Sequence, residues 1–582
     1  MLRLRPAVRA VSVARSVALT RQLHLSVARF NKIDNSAPSG LPKEVKQTAA
    51  HEGNHKEVPK PDENHPRRKK FHFWRSLWRL TYLSAIGGLG YVGYRIYVIR
   101  NPSNQLPADP SKKTLVVLGS GWGSVSFLKK LDTSNYNVIV VSPRNYFLFT
   151  PLLPSCPTGT IEHRSIMEPI RGIIRHKQAE CQYLEADATK IDHEKRVVTI
   201  RSAVSENSAE EVIREIPFDY LVVGVGAMSS TFGIPGVQEN ACFLKEIPDA
   251  QQIRRTLMDC IEKAQFEKDP AVRKRLLHTV VVGGGPTGVE FAAELQDFFE
   301  DDLRKWIPDI RDDFKVTLVE ALPNVLPSFS KKLIDYTEKT FSDEKISILT
   351  KTMVKSVDET TIRAEQTKGD GTKETLEMPY GTLVWATGNT VRPVVRELMS
   401  KIPAQKGSRR GLLVNEYLVV EGTEGIWALG DCSATKYAPT AQVASQEGSY
   451  LANLLNGIAK TEDLNNEITQ LEKQSEHTFD EQERKNIFAQ LESKSRKLRR
   501  SRAMLPFEYS HQGSLAYIGS DRAVADLSFT FWGVMNWSSG GTMTYYFWRS
   551  AYVSMCFSMR NKILVCIDWL KVRVFGRDIS RE

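Results

Sequence analysis

The chain has 582 residues, more than one compact core accommodates and enough for two or three domains with attachments. A charged fraction of 25% and a hydrophobic fraction of 41% exclude a polytopic transporter and a mainly disordered chain. The net charge of +11 is local: residues 1–100 hold 19 Lys and Arg against 6 Asp and Glu, and the other 482 hold 60 against 62, so no nucleic-acid binding is expected of the folded body.

From Met1 to Phe30 there are six arginines (Arg3, Arg5, Arg9, Arg15, Arg21, Arg29) and no acid. This amphipathic, acid-poor pattern is that of a mitochondrial transit peptide, expected over 1–30. Residues 31–76, rich in Pro, Asn, Lys and His, read as linker. Next come R-R-K-K (67–70) and the uncharged run Leu80 to Tyr94. That run gives only about 22 Å of helix against a bilayer core of about 30 Å. Arg79 and Arg95 can snorkel to lengthen it, and Trp74, Trp78, Tyr94 and Tyr97 suit the interfaces. A transmembrane helix over 77–99 is the expectation, with an amphipathic surface helix as the alternative. The basic flank then stays in the matrix and the body faces the intermembrane space.

Residues 112–141 read as strand, glycine turn, amphipathic helix, strand. Gly119 permits the tight turn and Gly121 lets the backbone approach a pyrophosphate at a helix N-terminus. The third glycine of G-x-G-x-x-G is replaced by Ser124, with an extra Gly123, and Ser142 stands where an acid is expected. Alone this fingerprint is weak. A second copy, H-T-V-V-V-G-G-G-P-T-G-V-E (278–290), has all three glycines, Gly283, Gly285 and Gly288. A later strand, K-V-T-L-V-E, ends on Glu320, which suits an adenine ribose 2′-hydroxyl and repels a 2′-phosphate, favouring NAD over NADP. An ordinary strand-end acid is the alternative for Glu320. F-D-Y-L-V-V-G-V-G-A (218–227) and G-T-L-V-W-A-T-G-N (381–389) are apolar strands ending in small residues, and G-I-W-A-L-G-D-C (425–432) closes on Asp431, which can grip a ribityl hydroxyl.

This order resembles the two-dinucleotide-binding-domain flavoproteins and, within them, the type II (alternative) NADH:ubiquinone oxidoreductases in their external mitochondrial form. The motifs that carry it are S-P-R-N-Y-F-L-F-T-P-L-L-P (142–154), G-G-P-T-G-V-E (284–290), A-T-G-N (386–389), A-L-G-D (428–431), A-Q-V-A-S-Q-E (441–447) and F-E-Y-S-H-Q-G-S-L-A-Y-I-G (507–519). The resemblance implies an α/β fold of two Rossmann-like domains with C-terminal membrane-anchoring helices. The expected segments are a FAD-binding domain over 112–250 and 381–460, an NADH-binding domain over 251–380, a charged helical insertion over 461–502, and a membrane-anchoring or dimerisation region over 503–582. It also implies a non-proton-pumping enzyme with non-covalent FAD that oxidises NADH and reduces ubiquinone at the mitochondrial inner membrane. Carried over, Gly119, Gly121, Trp122, Gly123, Ser142, Arg144 and Asp431 hold FAD, and Gly283, Gly285, Gly288, Glu320 and Gly388 hold NADH. Glu290 lies near the flavin and nicotinamide, and Gln442 and Gln446 line the flavin–quinone contact. Ser445 stands where relatives can carry His.

Hydride passes from nicotinamide to flavin when the rings stack, so such a protein mainly positions them. Quinone reduction needs two protons, which makes Glu290 a candidate proton carrier, the alternative being an acid favoured by the helix dipole. Glutamines suit hydrogen bonds to a quinone carbonyl or the flavin edge; a polar helix face is the alternative. The tail carries a dense aromatic run (Phe529 to Tyr552) followed by basic residues and has no long apolar stretch, so it should lie on a bilayer, with a homodimer interface or ordinary core as the alternative and Tyr546 as a quinone neighbour. Residues 461–502 lack Gly, Pro and any calcium-loop pattern and read as a solvated helical excursion. The seven cysteines have neither zinc spacing nor a redox dithiol motif, so no metal is expected. Rival readings are a sulfide:quinone oxidoreductase, which needs cysteines beside the flavin, and a non-catalytic NADH-sensing flavoprotein resembling apoptosis-inducing factor.

Overall fold

The computed structural model describes residues 69–202, 212–502, 504–529 and 535–581; the expected transit peptide and most of the expected linker lie outside them. The linker expectation ends early, because a helix already runs over Lys69–Arg100. The expected transmembrane helix at 77–99 is corrected: no helix among the described residues is long and apolar enough to cross a membrane. The reason is compositional, since the uncharged run is short and spends its length on four glycines, three tyrosines, Thr81 and Ser84. Leu80, Leu83 and Leu89 are exposed along it.

Residues 84–582 form a compact unit. Strand Thr114–Leu118 is buried on both faces, as a near-continuous Val/Leu run demands of a central parallel strand. It pairs in parallel with Asn137–Ser142 on one side and Tyr220–Val223 on the other. Ile426–Ala428 and Cys181–Asp192 extend the parallel array, and the antiparallel strands Val197–Ser202 and Ile213–Pro217 complete seven strands.

The second sheet has five parallel strands in the order Cys242–Phe243, Thr382–Trp385, His278–Val282, Lys315–Val319, Ser347–Leu349. Two expected boundaries move. Thr382–Trp385 pairs with His278–Val282 and therefore belongs to the second sheet, not to a returning FAD domain that begins at 381. Cys242–Phe243 likewise joins this sheet ahead of the expected start at 251.

Helix Ala441–His477 begins at a Thr440 cap, whose hydroxyl accepts the Val443 N–H, and lies across the first fingerprint helix, Trp122–Lys130. A Cβ on Gly448 would sit 2.1 Å from the Gly123 carbonyl oxygen, so a glycine is needed for this crossing. The helix continues into the charged stretch and packs against Glu481–Arg502, with Lys494 paired to Glu467 at 2.5 Å.

The C-terminal region is an antiparallel sheet of Ser514–Tyr517, Ala523–Phe529 and Met535–Gly541, followed by helices Thr542–Met555 and Met559–Phe575. Its expectation as a surface layer is revised in part. Tyr545, Trp548, Tyr552 and Trp569 are buried in the main core, whereas Met543, Tyr546, Phe547, Ile567, Leu570, Val574 and Phe575 are exposed.

Candidate functional site

The two glycine turns are built alike. Gly119 has φ +101° and its Cβ would fall 2.2 Å from the Gly224 carbonyl oxygen; Gly283 has φ +121° and a Cβ there would fall 2.8 Å from that of Ala386. Both positions therefore demand glycine on two counts. Nothing lies within 4 Å of a Cβ on Gly121 or Gly285, so in each turn the second glycine opens onto free space where a phosphate can approach the helix N-terminus. The missing third glycine of the first copy is explained across the turn: Ser124 is accommodated because residue 224 is itself glycine, with a Cβ position 2.2 Å from the Ser124 hydroxyl.

A cavity of about 430 Å³ opens at the first turn, within the range of cofactor sites. It brings together Gly119, Gly121, Trp122, Gly123, Ser142, Arg144 and Asp431 from the expected FAD set. Gly388, expected among the NADH residues, lines this same cavity, and Thr287 from the second turn reaches it. The two turns therefore meet at one chamber. Trp122 is fixed by its indole N–H, which donates to the Thr150 hydroxyl at 3.0 Å, and by edge contact with Phe147. Ser142 bonds the Ser120 hydroxyl at 2.9 Å and accepts from the Arg144 N–H. The serine thus orders the turn where an acid was expected.

Two cavity residues escaped the sequence reading. Glu246 pairs with Arg144 and, at 3.6 Å, with Arg392, and its side chain caps helix Ile247–Phe266 in a capping box with Asp249. Lys245 donates to the Asn389 side chain at 2.6 Å. Burial pulls its ammonium below the ordinary lysine range, opposed by the nearby Asp431 carboxylate. The L-K-E-I-P run before an apolar helical pattern was the available signal, a capping acid beside a lysine.

Glu320 ends the strand beside the second turn, where Oε2 accepts the Gly284 N–H at 2.5 Å and Oε1 the Leu322 N–H at 2.7 Å. Gly283, Gly285, Gly288 and Glu320 thus cluster around that turn. Glu290 does not line the cavity. It is buried one turn into helix Pro286–Phe298, accepting the Tyr517 N–H at 3.1 Å and the Tyr552 hydroxyl at 3.4 Å. Burial pushes its carboxyl up to about 8, and repulsion from Glu294 adds to the rise while the Tyr517 N–H opposes it.

Gln442 and Gln446 lie at the start of helix Ala441–His477, beside the chamber. Neither lines the cavity; their neighbours Ala441 and Ala444 do. Gln442 donates to the Gly513 carbonyl at 2.8 Å and accepts from the Tyr509 hydroxyl at 3.1 Å; Gln446 exchanges two hydrogen bonds with the Ser510 backbone, at 2.8 and 3.0 Å. Primary amides carry both a donor and an acceptor, and here they satisfy the loop 509–513. Ser445 bonds Ser126 at 2.8 Å on the fingerprint helix, and Tyr509 is in turn bonded to His511 at 3.0 Å, an imidazole the sequence reading did not assign. Tyr546 is exposed beside Tyr545, away from the chamber lining.

Two sheets with parallel centres, each followed by a glycine turn, and a chamber at the first turn that Thr287 of the second also lines define a two-dinucleotide-binding oxidoreductase. Residues 113–448 match the family described as pyridine nucleotide-disulphide oxidoreductase, and residues 511–578 match the NDH2 C-terminal domain. The chain is 96% identical, over the whole of both chains, to the mitochondrial external alternative NADH-ubiquinone oxidoreductase of Yarrowia lipolytica. It is 48% identical to the mitochondrial external NADH-ubiquinone oxidoreductase 2 of Saccharomyces cerevisiae, covering 86% of this chain and 89% of that one. Among solved structures, NDH2 from Plasmodium falciparum in complex with NADH superposes with a TM-score of 0.67 at 28% identity, covering 81% of this chain and all of the other. The sulfide:quinone oxidoreductase of Aquifex aeolicus shares the fold, with a TM-score of 0.53 at 16% identity over 80% of this chain and 96% of that one. The chain belongs to the external alternative NADH-ubiquinone oxidoreductase family.

FAD, the cofactor this family implies, fits the larger chamber. Gly121 leaves its backbone open to a pyrophosphate, and Asp431, Lys245 and Arg144 supply polar partners around it.

Proposed function

We propose that this chain is a mitochondrial, non-proton-pumping NADH:ubiquinone oxidoreductase with non-covalent FAD. The observation that carries the proposal is the chamber at the first glycine turn, which Thr287 at the second turn also lines, since hydride transfer requires the two ring systems in contact. Bound there, FAD would supply the two-electron acceptor that links NADH oxidation to quinone reduction. Around it, Gly119, Gly121 and Gly123 leave room for the pyrophosphate, Trp122 walls the chamber, Ser142 and Arg144 hold the adenosine end, and Asp431 bonds the ribityl chain. Gly283, Gly285 and Gly288 receive the NADH pyrophosphate, Glu320 bonds its ribose, and Gly388 lets the backbone pass close to the nicotinamide side.

Glu290 stores the proton that quinone reduction consumes. Its burial and raised proton affinity support this, because a carboxyl titrating near neutrality can both give and take a proton. Gln442 and Gln446 act on quinone by ordering the loop 509–513. The intact second glycine turn favours NADH over sulfide as reductant; Cys156, half-buried, and Cys432, buried, have thiols pushed well above their ordinary range by desolvation, unsuited to attack on sulfide.

The exposed apolar face of helices Thr542–Met555 and Met559–Phe575 docks on the inner membrane. A homodimer through the same region is the competing use of that face. The arginine-rich N-terminus and the external relatives support a body facing the intermembrane space. The test is NADH oxidation by purified protein in quinone-containing vesicles, with flavin bleaching followed in parallel. Sulfide-driven quinone reduction without NADH oxidation would overturn the assignment. Digestion of the body by protease in mitoplasts tests the orientation, and protection there places it in the matrix.

A further inference from the structure

Helix Pro286–Phe298 carries three buried acids on one face, Glu290, Glu294 and Asp297, at the four- and three-residue spacing that makes side chains neighbours. Asp302 is buried one turn on, and Asp301 beside it is exposed. Burying this many carboxylates is prohibitive without counter-charge or protons. One cation answers them. Arg577, on the C-terminal tail beyond the last helix, is buried and lies 3.0 Å from Asp302, 3.6 Å from Asp301 and 3.7 Å from Glu294, while donating to the Thr160 hydroxyl at 2.9 Å.

The remaining neighbours come from every element packed on this face. From the loop after the first sheet's second strand, the Ser155 and Thr160 hydroxyls donate to Glu294 at 2.9 and 2.6 Å, and half-buried Cys156 lies nearby. From the C-terminal sheet, the Tyr517 hydroxyl donates to Asp297 at 2.5 Å and the Ser520 N–H at 3.0 Å. From helix Thr542–Met555, Tyr552 reaches Glu290, and Arg549 is turned away onto the Tyr545 and Trp569 rings. Among the described residues, Glu294 alone both pairs with Arg577 and stands one turn from Glu290.

We propose that Arg577 is a positioning residue that sets the proton affinity of Glu290 indirectly, through the charge it maintains on Glu294. The proposal rests on the reading of Glu290 as proton carrier. Glu294, paired with Arg577, repels a second negative charge one turn away and so favours the protonated form of Glu290. Burial pushes Asp297 up to about 7 despite the Tyr517 hydroxyl and Arg577. Arg577 is held above its ordinary range by Glu294, Asp297 and Asp302 even though burial works against it.

The sign distinguishes this mechanism from direct electrostatics. Removing a cation beside an acid ordinarily makes that acid harder to ionise. Here Arg577→Gln leaves Glu294 buried without its counter-charge, a burial that disfavours the carboxylate charge, so the repulsion weakens and Glu290 ionises more easily. The test follows the pH dependence of quinone-driven flavin reoxidation, and independently the infrared carboxyl band that E290Q removes. R577Q and E294Q should each move the Glu290 ionisation to lower pH by about one unit. R577K should keep the native profile, and the double variant R577Q/E294Q should shift no further than either single one. FAD content and thermal unfolding establish that each variant is folded; where R577Q does not fold, E294Q carries the test. With E290Q having removed the ionisation, an unshifted or alkaline-shifted profile in folded R577Q or E294Q overturns the inference. A native ionisation persisting in E290Q instead overturns the Glu290 reading itself.

Discussion

Replacing Glu320 by Gln should change the choice between NADH and NADPH more than it changes NADH turnover. The carboxylate now divides two backbone donors between its oxygens, the Gly284 N–H on Oε2 and the Leu322 N–H on Oε1. A glutamine keeps one acceptor oxygen, so one of these bonds is lost at a net cost of about 1 kcal/mol in stability. The larger effect is on charge. A 2′-phosphate with a charge near −2, placed about 5 Å from the carboxylate in a partly hydrated turn, is opposed by about 2 kcal/mol. Removing that opposition should raise the NADPH/NADH ratio of kcat/KM about 30-fold. The assay measures both ratios at low and high salt, because screening should shrink the wild-type discrimination and leave that of E320Q nearly unchanged. An unchanged ratio in a folded, FAD-loaded E320Q would refute the assignment of Glu320 to the ribose.

Gln442→Ala frees the Gly513 carbonyl and the Tyr509 hydroxyl and should slow flavin reoxidation by quinone about tenfold while leaving bleaching by NADH near native; stopped-flow traces with only the NADH step impaired would remove this residue from the quinone side. Gly448→Ala drives a methyl into the Gly123 carbonyl and should lower stability by about 1–3 kcal/mol, with FAD released on mild heating; an unchanged unfolding midpoint would mean the helix crossing yields freely. His278 is buried between the Pro379 carbonyl and the Thr317 hydroxyl, and desolvation lowers its ordinary 6.5 to about 4. Between those values the unfolded chain binds a proton the folded one refuses, so stability should fall by up to about 3 kcal/mol as pH drops through that window, and His278→Asn should flatten the slope.

Both glycine turns were legible because everything they need is local: a buried strand, a glycine at positive φ and a helix start within a dozen residues. The departures at Ser124 and Ser142 were visible but not interpretable, since their explanations sit at Gly224 and Ser120, on separate stretches of chain. Glu246 was missed for the same reason. Its partners Arg144 and Arg392 lie 102 residues before it and well over a hundred after it, and no periodicity connects them. The boundary at 381 failed because an apolar strand ending in glycine reads alike in either sheet, and only pairing with His278–Val282 decides. Gln442 and Gln446 were recognised as a pair, but amides that order a neighbouring loop and amides that face a ligand carry the same signature.

The C-terminal region illustrates why a surface role and a structural role share one segment. A membrane-facing helix needs apolar residues all along one side, and a packed helix needs them along the other. Thr542–Met555 has both, which is why its aromatic density in the sequence alone left a bilayer surface and ordinary core both open. Its inward side, Tyr545, Trp548 and Tyr552, closes over the second fingerprint helix, and Tyr552 bonds Glu290. The first strand of the C-terminal sheet, Ser514–Tyr517, brings the Tyr517 N–H to the same carboxylate, and the tail beyond the last helix brings Arg577 to Glu294. Three separate pieces of the final 70 or so residues therefore build the environment of one acid on the nucleotide-binding helix. A C-terminal truncation at 510 should accordingly expose Glu290 to water and lower its proton affinity along with membrane attachment, whereas charge substitutions confined to the outer face, such as Leu570→Glu, should weaken attachment and leave the pH profile intact.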